Sequence, residues 1–362
     1  MINRAYLVRM ALVVGWFVGS LAGTPTAQAG ARLGLDHVEG STFLEQGSIR
    51  IHMDLLDDMG NVIPGLQPES LRVFMDSGPN TPVVEVPGDF EIQTAAQARD
   101  WVAVAIVVAA HQSYAPLPKL GEQFDQEDPS VLGYSREGFA RFSRKLDGSD
   151  RVAVYLYDEQ GLRTIDDWSE EHDNTAERIL EYARPSREAV TGDLIAPDLY
   201  KNLKSIVDDR VGGAENLPRR RVVLILSDGK DASVKRERKM KRYVEGVLDV
   251  ARTHGVKLYT VGFSLDTTEH LVHLRTLANR SGGVYREVKP DQMDDIPQVL
   301  ENIALELKKQ YIITFKPHED YDGSEKPVKL RLKVEAPGGR LLEDEYGGRV
   351  RIGEKPFSWL RM

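Results

Sequence analysis

The chain has 362 residues, of which 47 are basic and 56 are acidic, so its formal net charge is −9. This acidic balance disfavours nucleic acid as the main partner, because a phosphate backbone would be repelled. The lack of cysteine in the sequence excludes disulfide bonds and a lipidated N-terminal cysteine. Stability must therefore come from apolar cores, which a chain of this length can build.

The first 29 residues have the pattern of a secretory signal peptide. Arg4 and Arg9 precede or border an apolar stretch over residues 10–22, and Ala27-Gln28-Ala29 gives the small-x-small cleavage pattern. The alternative, an uncleaved anchor, is disfavoured because the apolar stretch is shorter than the roughly 20 residues that cross a bilayer. We therefore expect cleavage after Ala29, an extracytoplasmic (periplasmic or secreted) protein, and no stable membrane insertion of the mature chain.

Residues 30–96 predict a small antiparallel β module. Apolar and polar residues alternate from 48 to 56, the alternation stops at the turn residues 57–61, and it resumes at 71–74. Further turn signals follow at Pro64-Gly65, Gly78-Pro79-Asn80 and Pro87-Gly88. No helical periodicity is present in this part of the sequence.

Residues 97–309 predict an α/β domain, because short apolar runs alternate with segments of 3.6-residue periodicity. Apolar runs of this kind are typical of parallel strands that are buried on both faces. The runs cover 102–110, 151–157, 221–226 and 256–263, and the helical segments cover 135–146, 175–183, 198–207, 236–254 and 268–280. A short strand over 284–288 and an amphipathic helix over 293–308 close the domain. Strand and helix in strict alternation predict a doubly wound, mostly parallel sheet of Rossmann-like type.

Residues 310–362 return to β structure, with an apolar strand at 311–315 and an alternating strand at 328–334. Neither β segment alone has enough strands for a sandwich. We therefore expect the two segments to pack together as one smaller β-sandwich-like module beside the α/β domain.

Three loops are candidates for the functional site, because ligands of doubly wound sheets bind at the carboxyl edge of the strands. The first loop follows the strand at 102–110, the second precedes the helix at 198, and the third covers residues 227–231. The candidate partner-binding residues on these loops are His111, Ser113, Asp198, Asp228 and Asp231.

Three segments follow one another in a fixed order: Arg-Val-Val-Leu-Ile-Leu-Ser-Asp-Gly at 221–229, the strand at 257–263 and the helix-to-strand passage at 274–285. Together they resemble von Willebrand factor type A domains, in particular a group exported by bacteria with β segments on either side. The flanking segments 57–65 and 310–317 are also similar to that group. The resemblance covers most of the chain after residue 29, and it implies the same doubly wound fold and a role in binding other proteins.

The resemblance also implies a divalent cation at the sheet edge, held by an Asp-x-Ser-x-Ser loop, a Thr and an Asp. This sequence departs from that pattern, since Ala109, His111 and Pro197 replace three of the ligands and only Ser113 and Asp228 match. One carboxylate and one hydroxyl cannot compensate for the dehydration of Mg²⁺. We therefore expect a degenerate, metal-free site and no cofactor. The alternative is a residual Mg²⁺ site at Ser113 and Asp228, with help from Asp198 or Asp231.

Three other features have two interpretations each. His270 and His273 have a spacing that suits zinc, but no third ligand is indicated, which favours an ordinary helix face. The basic segment 235–242, together with Arg219, Arg220 and Lys230, is either a surface for an acidic partner or a solvated helix start. The long segment 114–133 is either a specificity loop or a disordered insertion.

The sequence contains none of the motifs that place a nucleophile, a phosphate loop or a catalytic metal. We therefore expect a non-catalytic protein-binding module, of recognition or adhesion type, that does not depend on a metal ion. The alternatives are a cation-dependent adhesion module and a structural subunit of an envelope assembly.

Overall fold

The computed structural model describes residues 31–39, 47–57, 61–76, 83–109, 130–158, 161–182, 198–231, 237–264, 268–317, 329–336 and 339–345. These residues form one six-stranded sheet and two four-stranded sheets. Within these ranges, no helix combines the length and the apolar composition that a bilayer crossing requires.

The strands and helices of the described residues are numbered in chain order. The strands are β1 Ala31–Glu39, β2 Ile49–Asp57, β3 Leu71–Asp76, β4 Val84–Glu85, β5 Glu91–Thr94, β6 Val102–Ala109, β7 Arg151–Asp158, β8 Gly161–Ser169, β9 Arg220–Ser227, β10 Val256–Phe263, β11 Tyr285–Val288, β12 Tyr311–Phe315, β13 Lys329–Ala336 and β14 Arg340–Glu345. The helices are α1 Ala95–Ala98, α2 Val131–Lys145, α3 His172–Tyr182, α4 Leu199–Ser205, α5 Glu237–His254, α6 Leu271–Ser281 and α7 Ile296–Lys309.

The six-stranded sheet has the order β11-β10-β9-β6-β7-β8 and is parallel except for β8, which pairs antiparallel with β7. Every residue of β6 and of β10 is buried, because helices cover both faces of these strands. The arrangement confirms the predicted fold class, an α/β protein with a doubly wound, mostly parallel sheet. The strand order reverses between β6 and β9, which makes this pair the topological switch point.

Two groups of helices cover this sheet. Helix α2 packs against α3 and α7, and helix α5 packs against α4 and α6. Right-handed crossovers place the two groups on opposite faces, because the connections run in opposite directions from the switch point.

Some predicted helix boundaries are wrong. Helix α2 begins at Val131 and not at 135, because the Ser130 side chain accepts the Gly133 N–H at 3.1 Å and caps the helix earlier. The predicted helix 198–207 is regular only as far as Ser205 and continues as the π-helical segment Ile206–Gly212. The predicted helix 293–308 begins as α7 at Ile296, after the 3₁₀ segment Pro290–Asp295.

The two four-stranded sheets are antiparallel and have the orders β1-β2-β12-β5 and β14-β13-β3-β4. They enclose a second apolar core, separate from that of the α/β domain, to which Ile51, Val73, Ile313 and Leu332 contribute fully buried side chains. Strands from both ends of the described chain mix within each sheet: β12 lies between β2 and β5, and β13 lies between β14 and β3. The strands before residue 95 and those after residue 310 thus form one β module.

A buried arginine at the start of β9 joins the segment before β6 to the closing helix α7. The Arg220 guanidinium donates to the carbonyl oxygens of Asp100 at 2.9 Å and Leu307 at 2.6 Å. The Asp100 carboxylate lies 3.4 Å from Arg220 Nε and 3.3 Å from Nδ1 of His52, which belongs to β2. This cluster fixes the amino edge of the six-stranded sheet against the β module.

Candidate functional site

The candidate site lies at the carboxyl edge of β6 and β9, where the strand order reverses. The two strands are paired in parallel from Val102 with Arg220 to Val107 with Ile225, so both end at the same edge. A crevice forms at this position in doubly wound sheets, because the connections leave the two strands toward opposite faces. His111 and Ser113, the predicted site residues that follow β6 in the sequence, lie outside the described residues.

The loop after β9 is closed by hydrogen bonds within itself. The Ser227 hydroxyl accepts the Gly229 N–H at 3.1 Å, and Asp228 Oδ1 accepts the Lys230 N–H at 3.1 Å. The second oxygen of Asp228 lies 3.9 Å from Lys230 Nζ. Short local bonds of this kind are typical of Asp and Ser in turns. The Asp228 carboxylate is thus directed at a loop N–H and at a lysine of the same loop.

Asp231 and Tyr200 connect this loop to helix α4. The buried carboxylate of Asp231 accepts the Tyr200 N–H at 3.1 Å, and the Tyr200 hydroxyl donates to the Gly229 carbonyl at 2.9 Å. The Tyr200 N–H belongs to the first turn of α4, where the backbone N–H groups have no partner inside the helix. Asp231 therefore caps α4 from a different loop, and the two bonds hold the loop against the helix.

Asp198, the third described candidate, has a different environment. It occupies the N-cap position of α4, but its side chain makes no capping hydrogen bond and lies 3.7 Å from Lys201 Nζ instead. Its side chain is 37 % exposed. The structure therefore brings Asp228 and Asp231 into one bonded loop and places Asp198 at the start of the helix that this loop caps.

Helix α6 supports the same loop from the other side. Gly229 has a φ of +75°, and a Cβ atom on it would lie 2.6 Å from the His270 carbonyl oxygen. His273 is buried, and its ring meets the Tyr200 ring edge to face at a centroid distance of 6.2 Å. Within the described ranges, no group of three or more His, Asp or Glu side chains is arranged to hold a metal ion.

The structure corrects the end of the long segment that follows β6, and it describes part of the basic segment that begins α5. The long segment predicted over 114–133 ends earlier, because residues 131–133 belong to helix α2, and residues 114–129 lie outside the described residues. In the basic segment 235–242, residues 235 and 236 are outside the described residues. Four of the others have exposed side chains on the first turns of α5: Arg238, Lys239, Lys241 and Arg242.

Sequence reasoning missed Tyr200 and Ser227 as parts of the loop's support. Ser227 belongs to the Ser-Asp-Gly motif at the end of β9, so its position next to a turn was the available signal. Tyr200 gives no such signal, because its hydroxyl and N–H bind residues about 30 positions further along the chain.

The strand order, the switch point and the carboxyl-edge loops define a doubly wound α/β protein with an accessory antiparallel β module. No protein-family model matches the chain, and a search of curated proteins finds no match either.

Solved structures show a loose likeness. The PilB minor pilin from Streptococcus sanguinis is 12 % identical, with a TM-score of 0.42 over 77 % of this chain and 79 % of that chain. A von Willebrand factor type A protein from Catenulispora acidiphila is 10 % identical, with a TM-score of 0.40 over 89 % and 72 %. The SpRpn10 VWA domain is 9 % identical, with a TM-score of 0.40 over 54 % and 93 %. The fold class itself rests on the strand order of this chain.

Proposed function

We propose that this chain is a non-catalytic protein-recognition module of the von Willebrand factor type A kind, and that it binds its partner at the carboxyl edge of β6 and β9 without a metal ion. The observation that carries the proposal is the use of the two loop carboxylates. Asp228 accepts the Lys230 N–H, and Asp231 accepts the Tyr200 N–H. Both therefore serve the architecture of a rigid edge.

The described part of this donor set supports the metal-free proposal, because Mg²⁺ demands near-octahedral oxygen ligands and gives up its waters reluctantly. The β6 strand ends at Ala109, whose methyl group offers no ligand atom. Asp231 is buried, and one of its oxygens accepts a helix N–H and caps α4. A partner would therefore be recognised by the shape, hydrogen bonds and charge of the edge.

The location of this function is part of the proposal. The N-terminal pattern of Arg4, Arg9, an apolar stretch and Ala27-Gln28-Ala29 supports export and cleavage. The sequence also lacks the motifs that place a nucleophile or a phosphate loop, which supports a binding role over a catalytic one.

Thermal unfolding tests the metal-free part of the proposal. The chain from residue 30 onward is melted with excess Mg²⁺, with excess Mn²⁺ and with a chelator. A ligand that binds only the folded state at 100 times its Kd stabilises it by about 2.7 kcal/mol, so a bound cation would be visible. We expect equal melting curves. A cation-induced shift that is lost in Asp228→Ala and kept in Asp173→Ala, a control at an exposed acidic residue, would instead favour the cation-dependent adhesion module.

Site-specific crosslinking tests the recognition edge. A photoreactive residue replaces exposed Lys230 on the edge or, as a control, exposed Arg340 on β14. We expect position 230 to give a discrete adduct in an envelope extract of the producing cells, with and without a chelator. Adducts from position 340 alone would place the recognition surface on the β module and contradict the proposal.

A further inference from the structure

Helix α5 carries a compact group of cations at its N-terminal end. Arg238, Lys239, Lys241 and Arg242 are all exposed, while the opposite side of the helix is buried in the α/β core through Met240, Val244, Val247 and Leu248. We call the four cations the basic surface. Because α5 is the first described helix after β9, the basic surface begins on the carboxyl-edge side of the sheet.

The first two of these cations, Arg238 and Lys239, lie in the first turn of α5, where their charge is unfavourable for the helix itself. The N-terminal end of a helix carries a partial positive charge from its unpaired N–H groups, so basic side chains there are repelled. The whole chain has a net charge of −9, so the composition does not account for four neighbouring cations. Lys239 Nζ lies 5.6 Å from the centre of the Tyr243 ring, and a local rule broken in this way is typical of a functional surface.

Two acidic side chains further along α5 have cationic partners away from the basic surface. Both carboxylate oxygens of Glu245 bind the guanidinium of Arg280 on α6, one of them at 2.9 Å from Nη2. Asp249 lies 3.3 Å from Arg252. Among the described residues, Arg238 and Arg242 form no ion pair. Their charges thus remain available to a ligand.

Resting on the proposed function, we propose that the basic surface is where the partner docks, and that it binds an acidic polypeptide segment. Five residues of helix span about 6 Å, which matches two or three neighbouring carboxylates better than a long phosphate backbone. None of the exposed large apolar side chains of the described residues lies on α5, so a membrane would find no apolar anchor there.

The test uses the chain from residue 30 onward and a fluorescent oligoglutamate peptide as the probe, with Kd measured by anisotropy at low and high salt. The test variant is Arg238→Glu with Arg242→Glu. The control variant is Arg72→Glu with Arg340→Glu, which makes the same change in net charge at exposed positions of the β module. We expect the test variant to weaken binding by about tenfold or more, the control variant to stay within about threefold, and salt to weaken wild-type binding.

The test variant should fold normally, because glutamates at the positive end of α5 favour the helix, and a melting curve checks this. Equal losses in both variants would show attraction by net charge alone and overturn the proposal. Tighter binding of the wild type to anionic vesicles or to duplex DNA than to the peptide would also overturn it. The crosslinking experiment at position 230 separates the two proposals. If the adduct forms while the peptide result is negative, only the proposal of the basic surface is wrong. If no adduct forms while the peptide result is positive, the proposal of the recognition edge is wrong.

Discussion

The Lys257 ammonium group lies 2.7 Å from Asp54 Oδ2, and this ion pair joins the α/β domain to the β module inside their interface. The two side chains are only 8 % and 10 % exposed. Removing one partner of a buried pair leaves an unpaired charge in a poorly hydrated environment, which costs about 3–5 kcal/mol. We predict a loss of this size in the free energy of unfolding for Lys257→Met, measured with urea.

Two controls define that prediction. The double variant Lys257→Met with Asp54→Leu should lose much less, because it leaves no unpaired charge. Lys308→Met removes a pair of similar length, 2.6 Å from Asp147, whose carboxylate is 66 % exposed, and should cost about 0–1 kcal/mol. Equal losses in Lys257→Met and Lys308→Met would show that the interface pair has no special role.

Asp231 and Asp228 should differ in their effect on stability. Asp231→Ala removes the cap of α4 and leaves a buried N–H of Tyr200 without its acceptor, so we predict a loss of about 0.5–2 kcal/mol. Asp228→Ala removes a bond within a turn at an incompletely buried position, and should cost less. Chemical unfolding of the two variants checks the order, and a larger loss in Asp228→Ala would contradict the assignment of Asp231 as the cap.

Gly229 should not tolerate a side chain. Its φ of +75° is unfavourable for alanine, and the new Cβ atom would lie 2.6 Å from the His270 carbonyl oxygen. Gly229→Ala should therefore lose more than about 1 kcal/mol. Gly246, in the middle of α5, is the matched control: its nearest contact would be Lys204 Cδ at an ordinary 3.9 Å. Gly246→Ala should gain about 0.4–1 kcal/mol. Thermal melts of both variants decide this, and a stable Gly229→Ala would refute the packing of the loop on α6.

Asp150 should make stability depend on pH in a known direction. Burial raises the pKa of its carboxyl, although the N–H groups of Val102 at 2.9 Å and Asp147 at 3.2 Å oppose the shift. As the pH falls, the folded carboxyl therefore takes up a proton before the unfolded one. Relative to Asp150→Asn, the wild type should gain stability on acidification until the pH reaches the ordinary pKa of Asp. Urea unfolding of both proteins at several values from about pH 7 to about pH 4 checks the slope. A loss of wild-type stability relative to Asp150→Asn on acidification would be the wrong sign.

The central strands were predictable because burial on both faces removes polar residues from them. The predicted runs at 102–110, 151–157, 221–226 and 256–263 correspond to β6, β7, β9 and β10. Strand β8 was missed because it is an edge strand, and two irregularities in its pairing with β7 interrupt the alternation of its side chains. Its one fully buried residue is Asp166, which binds Thr175 and Arg178, so the strand lacks the apolar pattern that predicts a sheet.

The candidate site was predictable only in part. The topology alone placed Asp228 and Asp231 at the carboxyl edge, because the strand before them is a continuous apolar run. Their different roles could not be predicted, since the partner of Asp231 is a backbone N–H of Tyr200, which depends on how two loops meet. Whether these residues bind a partner stays a prediction.

The position of β12 between β2 and β5 determines the order in which the chain can fold. Tyr311 pairs with Thr94 on one side and with Met53 on the other, so the whole α/β domain is inserted between two neighbouring strands. All six strands of the inserted domain lie between residues 102 and 288, and they can pair as soon as that segment has been made or translocated. The apolar faces of β2 and β3 must wait for β12 and β13, which emerge after the whole inserted domain. During synthesis we therefore expect the first strands to be exposed to aggregation for longest and the β module to close last.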